Sequence, residues 1–203
     1  METPSKGLSR SHVVSHIVLA CLLALLGLLA VPGFCYTPRA SNERGAPAML
    51  KTLAAAEADF RANDRDGNKV QDFWTGDVSG LWSEGGGGVP AQLISRATAE
   101  ADARPLKPLV KTPVPWAGYL FVVLKRDDST GETYQTDTDG SGRKVRHTSK
   151  FGFCAYPAEY GRTGRLTFFM NENNTIFKQD TGGKPLSAWP ADETLKAHWE
   201  KVD

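Results

Sequence analysis

The sequence predicts an α+β fold: an N-terminal membrane or signal helix, then an amphipathic helix packed on an antiparallel sheet of about four strands. Three observations predict it. A charge-free apolar run, Ile17 to Val31, lies near the start of the chain. An Ala-rich stretch with helical spacing follows. Only after residue 117 does the pattern turn to short apolar runs separated by turn residues. Helix first and strands afterwards, without alternation, is the order of an α+β domain.

The apolar run sits behind a short leader carrying Lys6 and Arg10. Val13 and Val14 extend it to an apolar core at 13–31, between the length of a signal-peptide core and that of a membrane span. Residues 1–36 therefore read as a signal peptide or an uncleaved signal anchor. Val31-Pro32-Gly33 offers a tolerable cleavage site, and Cys35 follows Phe34 where a lipoprotein signal needs a small residue. Lys6 and Arg10 hold the N-terminus inside, so the bulk of the chain is expected outside the cytoplasm. The expected location is the inner membrane facing the periplasm, or secretion after cleavage.

Pro38, Gly45 and Pro47 mark residues 37–47 as a linker, and 48–203 as a single extracytoplasmic domain. Met49, Leu53, Ala56 and Phe60 recur at helical spacing from Ala48 to Ala62, and Asn63 and Gly67 stop that helix. A short turn around Trp82 and a flexible Gly85–Gly88 run come next. A second helix is expected over Ala91–Asp102, with Pro90 at its first turn. Arg104–Pro115 carries four prolines and reads as an extended connection. Gly118–Lys125 is apolar on both faces, as a central strand is. Phe151–Tyr156, Leu166–Asn171 and Thr175–Lys178 are further strands, the last two joined by the Glu172-Asn173-Asn174 turn. Asp127–Ser149 reads as a long exposed loop. Asp192 caps a final helix that places Leu195 and Trp199 on one face.

Twenty-four Lys and Arg against 23 Asp and Glu give a formal charge of +1, with the basic residues scattered, so no nucleic-acid partner is expected. Three cysteines are too few for a disulfide scaffold. Cys154 lies in a strand-like run as a small hydrophobe, and pairing between Cys35 and Cys154 stays open.

Lys150–Gly183 carries a more specific pattern. Phe153, Ala155, Pro157, Ala158, Tyr160, Gly161, Thr163 and Gly164 are followed by Asn171, Asp180 and Gly182. This resembles the bacterial exported family DUF2950, whose members carry F-x-A-x-P-A-x-Y-G-x-[ST]-G and then a strand with Asn. Thr181 stands where that family has Leu. The helix AMLKTLAAAEADFRANDRDGN also resembles the post-anchor helix of pilin-like (pseudopilin-like) secretion proteins, although the prepilin Gly-Phe signal ahead of the apolar run is absent. The resemblance implies a fold and an address; it implies no activity.

Catalytic motifs are scarce. No G-x-S-x-G elbow occurs, Gly85–Gly88 lacks the Lys-Ser/Thr of a phosphate loop, and His147 and His198 have no partner at ligand spacing. His12 and His16 lie in or beside the leader. Asp64, Asp66, Asn68 and Asp72 supply oxygens of the kind calcium takes, but the glycine is misplaced for an EF-hand loop. A polar turn with Gly67 left-handed explains the same residues. Glu159, Tyr160 and Arg162, in a turn between two strands, form the candidate functional surface. The leading expectation is a non-enzymatic envelope protein, pilin-like in architecture, joined to the membrane by its N-terminal helix and acting through protein contacts. A periplasmic enzyme with an acidic site at Glu159 or Asp64/Asp66, and a calcium-dependent binding module, are the alternatives; no cofactor is expected.

Overall fold

The structure, a computed structural model, describes residues 39–202 and, ahead of them, Leu19. Apart from Leu19, the signal or anchor segment, with Cys21, Cys35 and the leader histidines, lies outside the described residues. Among those described, no helix is long and apolar enough to cross a membrane. The main body is α+β, with a long helix, several short ones and antiparallel strands.

Helix α1 (39–62) starts nine residues before the Ala48 boundary expected from sequence. The residues read as a linker, from 39 on, are its first turns. Gly45 and Pro47 are poor helix formers, costing about 1 and 3 kcal/mol, and Pro47 leaves the Glu43 carbonyl without its helical donor. Tertiary contacts outweigh both. Ala46, Leu50 and Leu53 are fully buried. Gly45 leaves room for the Trp116 ring, which lies 3.5 Å from where a Cβ would stand. Packing of one apolar face decides helicity here, not propensity. The helix ends as its sequence predicts: Asp64 and Gly67 turn left-handed (φ 45° and 70°), and the Arg65 N–H reaches back to the Phe60 carbonyl.

The central sheet has five strands in the order β10-β8-β7-β6-β2, all antiparallel. These are β2 (Tyr119–Val123), β6 (Gly152–Pro157), β7 (Leu166–Asn171), β8 (Ile176–Asp180) and β10 (Glu200–Val202). Four match the expected strands; β10, only three residues with two charges, lacks a readable pattern. Alternation sorts the side chains onto two faces. Phe121, Phe153, Phe168, Met170 and Ile176 meet Leu50, Leu53 and Phe60 of α1. Val122, Cys154 and Phe169 point the other way, beneath Trp189, Trp199 and Tyr134. The central strands are apolar on both faces because both are covered. Gly118, left-handed at φ 75°, opens β2 where a Cβ would strike Asn42 of α1 and Thr163.

Smaller elements fill the periphery. The turn at Trp82 is helix α2 (Gly80–Ser83), Gly86–Gly88 is a single 3₁₀ turn, and α3 (Arg96–Glu100) is shorter than predicted. The Ser95 side chain accepts the Thr98 N–H and starts α3 there rather than at Pro90. Asp127–Ser149 is not one loop. β4 (Asp137–Thr138) and β5 (Lys144–His147) form a hairpin, and β1 (Phe73–Trp74) pairs with β5. β1 lies far from β5 in sequence, and the polar composition of β4 and β5 hides their local hairpin. β3 (Arg126–Asp127) runs parallel to β9 (Ala188–Trp189). In α4 (Asp192–His198) the N-cap position is Ala191, and Asp192 lies in the first turn, where its charge still suits the helix dipole. Leu195 and Trp199 pack on the second face of the sheet, on the side α1 does not cover.

The α1–sheet contact should dominate stability. Leu53→Ala, at a site with no solvent exposure, is expected to cost about 2–5 kcal/mol. The exposed Lys51→Ala is expected to change stability by no more than about 0.5 kcal/mol. Equilibrium unfolding in urea compares the two.

Candidate functional site

The turn joining β6 to β7 carries Glu159, Tyr160 and Arg162. Its backbone closes on itself: the Thr163 N–H donates to the Glu159 carbonyl (2.9 Å), and the Gly161 N–H to the Gly164 carbonyl (2.8 Å). Arg162 donates to the Glu159 carboxylate at 2.7 Å, with both side chains more than half exposed. The Tyr160 hydroxyl donates to Asp180 at the end of β8 (3.0 Å), and the Arg165 guanidinium lies 5.9 Å from its ring centroid. The Gly182 N–H and then the Tyr160 hydroxyl hold the Asp180 carboxyl below its usual range. Tyr160 nevertheless stays 45% exposed. Helix α1 pins the turn from behind. Asn42 donates to the Thr163 carbonyl (3.0 Å), and Glu43 accepts the Arg165 N–H (2.8 Å). The three candidates are thus brought together on a rigid, open surface. Glu159 is solvent-facing and neutralised by Arg162, a setting for contact rather than for proton transfer.

The loop after α1 is organised by its own hydrogen bonds. Asp64 accepts the Lys69 N–H (3.0 Å), Asp66 accepts the Asn68 N–H (3.3 Å), and Asn68 donates to Asp72 (3.1 Å). Asp66 also pairs with Arg146 of β5. The cation among these carboxylates is therefore a guanidinium. Asp64 and Asp72 each retain one buried oxygen without a partner. Burial, and then the Asp66 charge against the relief of the Asn68 hydrogen bond, pushes the Asp72 carboxyl up to about 6. Among the described residues no three His, Cys, Asp or Glu side chains group as a metal ion requires.

Two polar centres carry no local motif and were not anticipated. The first surrounds Lys150. Its ammonium reaches Glu132 (2.8 Å) and Asp127 (3.4 Å) and lies over the Tyr134 ring at 5.9 Å. Beside it, buried His147 meets Glu132 through Nε2 at 3.1 Å. Its Nδ1 accepts the N–H groups of Ser149 (3.0 Å) and Lys150 (2.9 Å), which leaves the proton on Nε2. The Ser149 hydroxyl lies 3.4 Å from that same Nδ1. A carboxylate, an imidazole and a hydroxyl in line suggest a nucleophile relay, but the lone pair a base needs is already taken by two backbone donors. The cluster ties the end of β5 to the segment that carries Asp127 and Glu132.

The second centre is buried carboxylate. Asp77 accepts from Trp74 Nε1 (3.0 Å), the Gly80 N–H (2.8 Å), the Ser79 hydroxyl (2.8 Å) and the Leu106 N–H (2.6 Å). Asp102 accepts the Ser79 and Arg104 N–H groups. Burial, and next the Asp77 charge, pushes the Asp102 carboxyl up to about 6. Glu57, wholly buried in α1, accepts the Trp74 N–H (2.9 Å), and burial raises its carboxyl well above the ordinary range. These acids satisfy backbone donors at the ends and edges of short elements and in the chain between them.

Residues 39–202 match the model of DUF2950, described as a protein of unknown function. The chain belongs to the DUF2950 family. No curated protein and no solved structure matches it. The match to DUF2950 runs from α1 to β10, well beyond the C-terminal quarter that shows it most clearly in sequence. Several motif residues of this DUF2950 domain have structural duties. Gly164 makes room for Tyr119, whose hydroxyl donates to the Leu166 carbonyl (2.8 Å), and Asn171 accepts the Asn173 N–H (3.1 Å) inside the β7–β8 turn. Cys154 is a free thiol with no solvent exposure; its sulfur accepts the Leu186 N–H at 3.3 Å, and burial pushes it up to about 12.

Two measurements follow from this geometry. Melting in millimolar calcium and in chelator should give the same midpoint, because Asp64, Asp66 and Asp72 each accept an internal donor and Arg146 already supplies a cation beside Asp66. A rise of several degrees in calcium, abolished by Asp66→Ala, would show that the loop is a metal site. The second concerns pH. A carboxyl whose folded pKa exceeds its unfolded value binds more protons when folded, so stability falls as pH rises between the two. For Asp102 that window runs from 3.8 to about 6, and the loss is about 2–3 kcal/mol. Asp72 titrates in the same direction there. Unfolding measured across this window should therefore show a shallower fall for Asp102→Asn than for the unaltered chain.

Proposed function

We propose that this DUF2950 protein is an exported envelope protein, tethered by the apolar segment ahead of residue 39, that works through protein contacts. The observation that carries this reading is the Glu159–Tyr160–Arg162 surface. An aromatic ring stands exposed on a turn braced by hydrogen bonds within the domain and carrying the Glu159–Arg162 pair. Tyr and Arg are the residue types enriched where interfaces concentrate their energy. A preformed turn loses little entropy when a partner docks on it. The pilin-like architecture rests on the order of elements: an apolar run, a long helix, then an antiparallel sheet lying on that helix. The missing prepilin signal argues for a tethered protein rather than a filament subunit.

The runner-up, a periplasmic enzyme, draws on the same residues less well. Glu159 is open to solvent and tied to Arg162, and Asp66 is tied to Arg146.

Location and contact are tested separately. After carbonate washing the full chain should remain with membranes, and protease added to intact spheroplasts should digest the part beyond residue 39. A soluble, protease-protected protein in the cytoplasm would sink the export reading. For contact, a photo-crosslinking residue at position 160 should yield a discrete adduct in cells. The same probe at Val89, which is 69% exposed, should not. Equal or absent adducts at both sites would remove the turn as an interface.

A further inference from the structure

A groove of about 500 Å³ lies on the second face, between the end of β8, the 185–191 segment and α4. Its size is that of a small-molecule site. Leu186, Pro185 and Pro190 give it an apolar floor, and Trp199 forms one wall. The Trp199 ring is fixed edge-on against Phe169 with centroids 4.5 Å apart. Its indole N–H donates to nothing among the described residues, nor do the side chains of Gln179, Ser187 and Thr194 have partners. Arg126 and Asp128 form an ion pair of 2.7 Å at the rim, both well exposed. The backbone behind them is fixed by two bonds between the β3 and β9 segments: the Lys125 N–H to the Ser187 carbonyl and the Asp128 N–H to the Trp189 carbonyl (2.8 and 2.9 Å).

The chemistry of this lining narrows its ligand. A ligand of either charge meets a like charge beside its partner at the Arg126–Asp128 pair, whereas a neutral one meets a donor and an acceptor side by side. The free groups are an indole N–H, two hydroxyls and an amide, which donate and accept in mixed order. An indole offers an apolar face with a polar edge. A neutral ligand rich in hydroxyl groups but carrying one apolar C–H face satisfies all of these at once. We propose that the groove is a saccharide-binding site, with Trp199 as the stacking wall and Gln179, Thr194 and the Arg126–Asp128 pair reading hydroxyl groups. The site is separate from the Tyr160 surface, and it stands or falls independently of where the chain resides.

The test uses the full chain, kept in dodecylphosphocholine so that no glycoside detergent competes, with ¹⁵N-labelled tryptophan. Each of the five tryptophans contributes one indole N–H resonance, and Trp199→Phe assigns the relevant one. Cellobiose, maltose and N,N′-diacetylchitobiose are titrated into the millimolar range. At least one should shift the Trp199 resonance saturably and leave Trp74 and Trp116 unmoved. Gln179→Ala and Thr194→Ala, at positions outside the apolar core, should each weaken that sugar about fivefold or more, roughly the loss of one hydrogen bond, with unchanged melting. No saturable shift with any of the three overturns the proposal. So does a sugar affinity untouched by both variants. A saturable response to a polyproline peptide alone would assign the groove to peptide binding instead and overturn it equally.

Discussion

A sheet whose central strands are apolar on both faces has to be covered twice, and the rest of this fold follows from that requirement. Strands β2, β6 and β7 send Phe121, Phe153 and Phe168 to one side and Val122, Cys154 and Phe169 to the other. A helix rich in Ala and Leu covers the first side by packing small and branched side chains between the rings. The second side has no long helix. Trp189, Trp199 and Tyr134 cover it singly, each held by a short segment. Phe169 meets both indoles edge-on, at 4.9 and 4.5 Å, an arrangement that aromatic quadrupoles favour.

Covering a sheet with irregular chain leaves backbone N–H groups that no ladder satisfies, and the buried acids answer that need. Asp77 and Asp102 take four backbone donors between them, from Gly80, Leu106, Ser79 and Arg104. An unmet buried donor costs more than a made bond returns, so a carboxylate that serves two or three of them is tolerated despite its desolvation. The raised pKa values of Asp102 and Glu57 are thus a consequence of structural service. Perturbed carboxylates mark active sites only when they face a cleft. Lys150 does for the β4–β5 hairpin what these acids do for the 77–106 segment: it lets polar chain lie against the sheet with its charges paired.

Legibility in the sequence tracked the range of the interactions. β7 was readable to the residue because alternation and the Asn-containing turn are local. β2 and β6 were readable to within one or two residues at each end, and so was the end of α1, where Gly67 turns left-handed. The start of α1 was not, because Gly45 and Pro47 announce a break that contacts with Trp116, Thr163 and Arg165 override from elsewhere in the fold. β10 failed for a related reason, because a short polar strand acquires identity only from a distant partner, here β8; β4 and β5 pair locally but are too short and polar to read as strands. The Glu159–Tyr160–Arg162 turn was legible, since spacing alone puts those residues in one connection. Its bracing by Asp180 and α1 was not. The Lys150 and Asp77–Asp102 centres join residues more than twenty positions apart, and no motif spans that distance.

The two covers differ in what they leave available. Helix α1 spends its inward face on the sheet, and its first turns on the Tyr160 connection. The second cover is built from side chains hung on chain segments rather than from a continuous face, so gaps remain between them. Loops on a rigid scaffold are where binding groups accumulate, and here the scaffold is rigid because Phe169, fully buried, fixes both Trp189 and Trp199. The indole that completes the core on its inner side also lines the groove on the outer side. One residue therefore serves stability and recognition together. That is why the polar groups of the groove are best probed through Gln179 and Thr194, which the core does not need.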